Sequence, residues 1–329
     1  MNMNWTQHHP DHFRDARVLV TGAAGFIGSH ITEALVSLGA QVVAIDDLSG
    51  GSWANLDGFD ESVTRITGSI ADEKAVTQAV AGCRYVFHLA GLGSVPRSVA
   101  EPERYMTANV MGTYQLLQAA KAAGVQRVIF SGSSNYYGDI GGEAAKVESQ
   151  PPMPLSPYAA TKLFCEGAMR SWAYSFGMDT VVLRYFNIFG PRQNPNSAYA
   201  AVIAAFAKAM LRRQPPVIFG SGEQSRDFTF VHNAVHANLL AARFPGALKG
   251  EALNVACGHG ISVNELCAAM AKLLNRTDIA AVHQPGRAGE ILHSKADITK
   301  ARSTLGYQPL VDFDTGLAAT VEWYRRHLA

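Results

Sequence analysis

Tyr158 and Lys162 stand four residues apart in "LSPYAATK" (155–162), at the start of a long helical pattern. Residues at i and i+4 share a helix face, about 6 Å apart at Cβ. A free phenol has a pKa near 10, so only about one in a thousand is ionised at pH 7. One cation about 5 Å away, at an effective dielectric of about 20, stabilises the phenolate by roughly 3 kcal/mol, about two pKa units. The spacing makes sense if the phenol acts as a base, with a second positive charge completing what Lys162 begins. Ser133, 25 residues before Tyr158 in "SGSSNYYGD" (131–139), adds a small hydroxyl at the end of a strand pattern.

These groups need a scaffold. β-branched runs read as strands at 17–22, 41–46, 63–68, 84–90, 126–132 and 179–186. Helical patterns lie at 26–38, 72–81, 104–123 and 157–176. Strand–helix alternation predicts a doubly wound, Rossmann-type α/β fold whose parallel sheet is covered on both faces. After Phe186 the rhythm breaks at "NIFGPRQNPNSAY" (187–199). A helix near 200–212, a strand at 216–220 and a last helix near 314–328 follow. The expected layout is a polar tail (1–15), a dinucleotide-binding domain (16–186) and a smaller mixed α/β lobe (187–329) for substrate, with chain crossings back to the first domain.

Composition narrows the classes. Of 329 residues 48% are hydrophobic and 17% charged, and 28 basic against 27 acidic residues leave a net charge of +1. No basic stripe argues for nucleic acid. No apolar run approaches the ~18 residues of a membrane span, and no apolar leader opens the sequence. Cys83, Cys165, Cys257 and Cys267 form no CxxC pair, which suits reduced thiols in the cytoplasm. The histidines, among them His88, His232, His236, His259 and His293, lack metal-site spacing, so no metal is expected.

"VTGAAGFIGSHI" (20–31) joins the first strand to the first helix. Gly22 permits the tight turn, Gly25 lets backbone approach a pyrophosphate, and Gly28 lets helix pack on strand. The pyrophosphate would meet the free N–H groups of the helix N-terminus. Asp46 closes the second strand and suits the adenosine ribose hydroxyls, and no Arg follows within "DLSGGSWANL", which favours NAD over its 2′-phosphate. The positive nicotinamide ring is then the second cation beside Tyr158.

The glycine motif, Ser133 and Tyr158-x-x-x-Lys162 together resemble the extended short-chain dehydrogenase/reductase family, from Arg17 onward. "LRYFNIFGPRQNPNSAYAAVI" (183–203) and "IFGSGEQSRDFTFV" (218–231) resemble its nucleotide-sugar 4-epimerases. The resemblance implies that Tyr158 takes the sugar 4-hydroxyl proton while NAD accepts the C4 hydride. Ser133 bonds the same oxygen, and Lys162 also holds the nicotinamide ribose. A 4-keto sugar would then turn and receive the hydride on its other face. Cofactor contacts are implied for Phe26 and Ile27, for Asp47, Ser49 and Gly50, and for Ser69 and Ile70. The same holds for Leu89, Ala90 and Gly91, and for Asn109, Ser131 and Tyr185. Ser69 replaces the usual Asp, which weakens the expected grip on adenine.

At the substrate end, Arg226 and Arg287 resemble the pair that grips a diphosphate, as guanidinium forks can. Glu290 would take the uridine ribose, Phe219 with Ile218 before it would line the uracil, and Asn187 would donate to the phosphate or sugar side, with Ser94, Ser134, Asn135, Val202 and Val217 as further substrate contacts. Sister dehydratases carry an Asp-Glu pair where Ser134 and Asn135 stand, so elimination of water is not expected. Tyr136 is bulkier than the family's residue and would reshape the sugar pocket. Ser294 in "RAGEILHSKAD" (287–297) matches a position where glucose-restricted epimerases carry Tyr. Its small side chain, with "GSVPRS" (93–98), points to UDP-GlcNAc/UDP-GalNAc interconversion, with UDP-Glc/UDP-Gal as a side activity. The competing role for Ser294 is capping the helix before "KADITKA". Alternative readings are a UDP-glucuronate 4-epimerase or decarboxylase, and a non-catalytic NAD-sensing scaffold. A homodimer through helices 104–123 and 157–176 is implied as well.

Overall fold

The computed structural model describes residues 3–59, 61–139, 141–142, 144–194, 202–286 and 292–328. Its organising element is a sheet of seven strands among these residues: β1 (Arg17–Thr21), β2 (Gln41–Asp46), β3 (Val63–Thr67), β4 (Tyr85–His88), β5 (Arg127–Ser133), β6 (Asp179–Tyr185) and β7 (Glu251–Val255). Their order is β7-β6-β5-β4-β1-β2-β3, all parallel. Strands such as "RVIFSGS" are buried along their whole length, as a sheet covered on both faces requires.

Helices α1 (Phe26–Ser37), α2 (Glu73–Val80), α3 (Gly112–Ala122), α4 (Pro157–Phe176) and α5 (Val202–Leu211) come next, then α6 (Val231–Arg243), α7 (Val263–Leu274), α8 (Thr299–Leu305) and α9 (Phe313–Leu328). The start of α4 is locally dictated. Ser156 accepts the N–H of Ala159 at 3.1 Å, Pro157 fills the first turn, and Gly177 ends the helix at φ +68°.

Three features depart from the sequence reading. β7 was not foreseen, because "EALNV" is too short to show a period; it joins the sheet by pairing Val255 with Tyr185. The helix expected over 104–123 is a short helix (Pro102–Tyr105), a π-helical turn (Met106–Met111) and α3. The N-terminal segment is not a polar tail: Trp5, His9 and Phe13 are buried, and His9 Nε2 lies 2.9 Å from His236 Nδ1 on α6. Two large aromatic side chains among polar residues are enough to bind that segment to the core.

α5, α7 and α9 enclose a second core with Phe189, Phe206, Phe230, Met270, Leu317 and Tyr324. Because β7 and α6 pack with the large sheet, the chain crosses back to it after Phe186. Strand order reverses between β4 and β2 around β1, and the cleft opens at the carboxyl ends there, where open α/β sheets bind ligands.

Candidate active site

The glycine loop is closed to side chains. Gly22 has φ +68°, and a Cβ there would lie 2.8 Å from Ala90 N. A Cβ on Gly28 would fall 2.0 Å from the carbonyl oxygen of Gly22. Gly25 stands at the N-cap of α1 without a side-chain cap, leaving first-turn N–H groups for an anion. Asp46 accepts hydrogen bonds from Ala24 N at 3.0 Å and Leu48 N at 2.8 Å, so its carboxylate braces the loop; burial raises its pKa and these bonds oppose the rise. Asp47 accepts Ser49 N at 2.9 Å, and Gly50 lies beside them on the exposed loop. The hydroxyl of Ser69 accepts Ala71 N at 3.1 Å, and Ile70 packs where a Cβ on Gly112 would meet it at 2.8 Å. This bare, N–H-rich cradle with a carboxylate at the second strand's end suits a dinucleotide pyrophosphate and its ribose.

A cavity of about 630 Å³ runs from Phe26 and Ile27 past Leu89 and Gly91 to Ser131, Ser133, Tyr158, Lys162 and Tyr185. The sheet end supplies the serines, and the first turns of α4 supply Tyr158 and Lys162. Tyr158 is buried, lines the cavity with Ser133, and is packed edge-on to Tyr105 at 6.4 Å. Burial pushes its phenol up and the Ser133 bond draws it down.

Lys162 departs from the sequence reading. Its Nζ donates to Ser131 O at 2.8 Å and sits 4.7 Å over the Phe130 ring rather than bonding the phenol. The long stem brings the charge beside Gly91, where a Cβ would lie 3.8 Å from Nζ. Burial lowers this ammonium to about 8. The i, i+4 spacing therefore aligns the two stems without pairing their polar ends.

Asn109, on the π-helical turn, accepts Leu92 N at 2.7 Å and donates to Thr161 Oγ1 at 3.0 Å, so it clamps the loop after β4. Leu89 and Ala90 N–H groups, in turn, donate to Thr21 Oγ1, each at 3.1 Å.

The same cavity takes in Ser134, Asn135, Asn187, Arg226 and Ser294, and reaches Lys146 and Gln193, which the sequence reading missed. Asn187, Gln193 and Arg226 also line an adjoining cavity of about 460 Å³ with Val202, Val217 and Phe219. Asn187 takes φ +36° at this junction, a conformation that non-glycine residues seldom adopt. Ser294 lies in a short strand (His293–Ser294) paired with Arg226, and the N-cap position of α8 is Ile298, which makes no side-chain cap, so the capping role for Ser294 is overturned.

Two further expectations change. Ser94 does not line either cavity; its hydroxyl caps the helix that follows by accepting Arg97 N at 3.3 Å. Tyr136 does not line the cavities either, because the Arg184 guanidinium stacks on its ring at 3.4 Å and holds it aside. Arg287 and Glu290 lie outside the described residues.

Among the described residues no three His, Cys, Asp or Glu side chains converge as a metal site, and no helix is long and apolar enough to cross a membrane. The four cysteines are unpaired.

The model of the NAD dependent epimerase/dehydratase family matches residues 18–256. A UDP-N-acetylglucosamine 4-epimerase from Methanobrevibacter ruminantium, solved with UDP-N-acetylmuramic acid, is 41% identical. It superposes with a TM-score of 0.90 over 95% of this chain and 99% of its own. The UDP-glucose 4-epimerase of Mycolicibacterium smegmatis is 36% identical over 94% of this chain and 98% of its length. The UDP-glucose 4-epimerase of Thermus thermophilus, solved with NAD, is 32% identical with a TM-score of 0.84, over 94% of this chain and 99% of that one. Sequence, sheet order and the glycine cradle agree, and the chain belongs to the NAD dependent epimerase/dehydratase family, with NAD as its cofactor.

Proposed function

We propose that the protein epimerises a UDP-sugar at C4, interconverting UDP-GlcNAc and UDP-GalNAc. Bound NAD supplies hydride acceptance and return at the sugar carbon. Tyr158 takes up and later returns the 4-hydroxyl proton, and Ser133, on the wall of the same cavity, steadies the same oxygen. Lys162, whose Nζ bonds Ser131 O on the cavity wall, holds the cofactor's ribose. Arg226 stands where the two cavities meet and takes the diphosphate, with Asn187 beside it. Val202, Val217 and Phe219 flank the base, and the glycine loop with Asp46 holds the far end of NAD.

The observation that carries the sugar assignment is Ser294 on the wall of the Tyr158 cavity: a small side chain leaves space for an acetamido group at C2. Elimination of water is disfavoured, since Ser134 and Asn135 offer no carboxyl group as acid or base. Exposed Met106, Met111, Phe164 and Tyr174 on the paired helices support a homodimer through that face, to be read from the mass in solution.

The deciding experiment is incubation with UDP-GlcNAc and resolution of the products by NMR. UDP-GalNAc is the expected product. Turnover of another nucleotide sugar without UDP-GalNAc removes the substrate assignment, and NAD binding with no turnover of any of them returns the scaffold reading.

A further inference from the structure

The two cavities share a wall. Four described residues line both of them, Asn187, Ile188, Gln193 and Arg226, and three of the four lie on the stretch 187–193. The backbone of that stretch is unusual, with φ +36° at Asn187 and φ +68° at Arg192. Such conformations are costly for residues with a side chain and persist where surrounding contacts impose them.

Three sets of contacts do so here. At the start of the loop, Ile188 and Phe189 pair with Thr229 and Phe230. At its end, the Tyr324 hydroxyl on α9 donates to Gln193 O at 2.9 Å. Between them the loop is fastened to α1, the helix whose N-cap is Gly25 of the cofactor cradle. His30 is 7% exposed, and its Nε2 lies 3.0 Å from Pro191 O. A carbonyl oxygen only accepts, so Nε2 carries the proton, and burial beside Arg192 keeps the ring neutral. Arg192 Nη2 donates to Glu33 Oε2 at 2.7 Å, and its Nη1 to Ser29 Oγ at 3.4 Å. Ser29 and Glu33 share one face of α1 at i and i+4. The strand pair and the α9 bond hold the loop to the second core, whereas the α1 contacts tie it to the half that binds NAD.

We propose that Arg192 and His30 are positioning residues for nucleotide-sugar binding: by fastening the loop to α1 they hold Asn187 and Gln193 in place where the diphosphate crosses from one cavity to the other. The inference rests on the nucleotide-sugar reading above and adds that the cofactor helix shapes the substrate site. Arg192 and His30 line neither cavity and take no part in proton or hydride transfer.

Calorimetric binding of UDP to the NAD-loaded protein, with kcat and KM for the nucleotide sugar it turns over, is the test. Arg192→Met keeps an unbranched stem and removes the ion pair. UDP affinity should fall about threefold to tenfold, as for a partly exposed, charge-assisted contact. KM should rise in step, with kcat held within about twofold and NAD affinity unchanged. Exchanging the two charges, Arg192→Glu with Glu33→Arg, should recover most of the loss. His30→Leu should weaken UDP to a similar extent, while His30→Gln, whose amide still donates to Pro191 O, should not. A fall in kcat with UDP affinity intact, equal weakening of UDP and NAD, or a charge exchange that recovers nothing would overturn the proposal, as would no change at all. A wild type that binds NAD but not UDP would instead overturn the nucleotide-sugar reading itself.

Discussion

Replacing Lys162 by Met should change how stability depends on pH, and the size of the effect follows from burial. The folded protein holds this ammonium at about 8 against an ordinary value of 10.5. The unfolded chain therefore binds the proton more tightly. Folding carries a penalty that is full below about pH 8 and fades as pH rises towards 10.5. By linkage the penalty is about 3 kcal/mol at pH 7 and about 1 kcal/mol at pH 9.5. Lys162→Met removes it, but leaves the buried Ser131 carbonyl without its 2.8 Å donor, a loss of about 1–3 kcal/mol at either pH. The absolute difference at pH 7 is thus small. Its change with pH is not: wild type should gain about 2 kcal/mol on the variant between pH 7 and pH 9.5. Urea unfolding of both cofactor-free proteins at the two pH values measures this. A stability gap that stays constant, or moves in the variant's favour as pH rises, would refute a buried, charged Lys162.

Two other substitutions probe the proposed chemistry. Tyr158→Phe removes the phenol oxygen from the cavity and should lower kcat by about 10²–10⁴-fold, the range for a general base, with NAD affinity retained by fluorescence titration. Ser294→Tyr fills the wall beside Arg226 and should abolish turnover of UDP-GlcNAc with a smaller loss on UDP-glucose; parallel kinetics with equal losses would count against the size argument.

The local signals in the chain proved sufficient for much of the scaffold. Val/Ile runs mark six parallel strands, Ser156, Pro157 and Gly177 bound α4, and the glycines of the first turn are required by contacts as short as 2.0 Å. β7 escaped notice because five residues carry too little pattern, and its place depends on an edge made by β6. Trp5 and Phe13 likewise look like isolated apolar residues until α6 and the sheet give them somewhere to bury.

What the sequence by itself determined is the set of chemical groups and their order: a base candidate, its serine, a lysine one turn on and a loop open to pyrophosphate. Tertiary structure alone decided where the charges point. Helical spacing puts Tyr158 and Lys162 on one face, but a flexible four-carbon stem goes to the nearest acceptor, and that acceptor, Ser131 O, comes from a strand 31 residues away. The same reason hid Lys146 from the cavity's lining, since its backbone is pinned to residues 295–297, far along the chain.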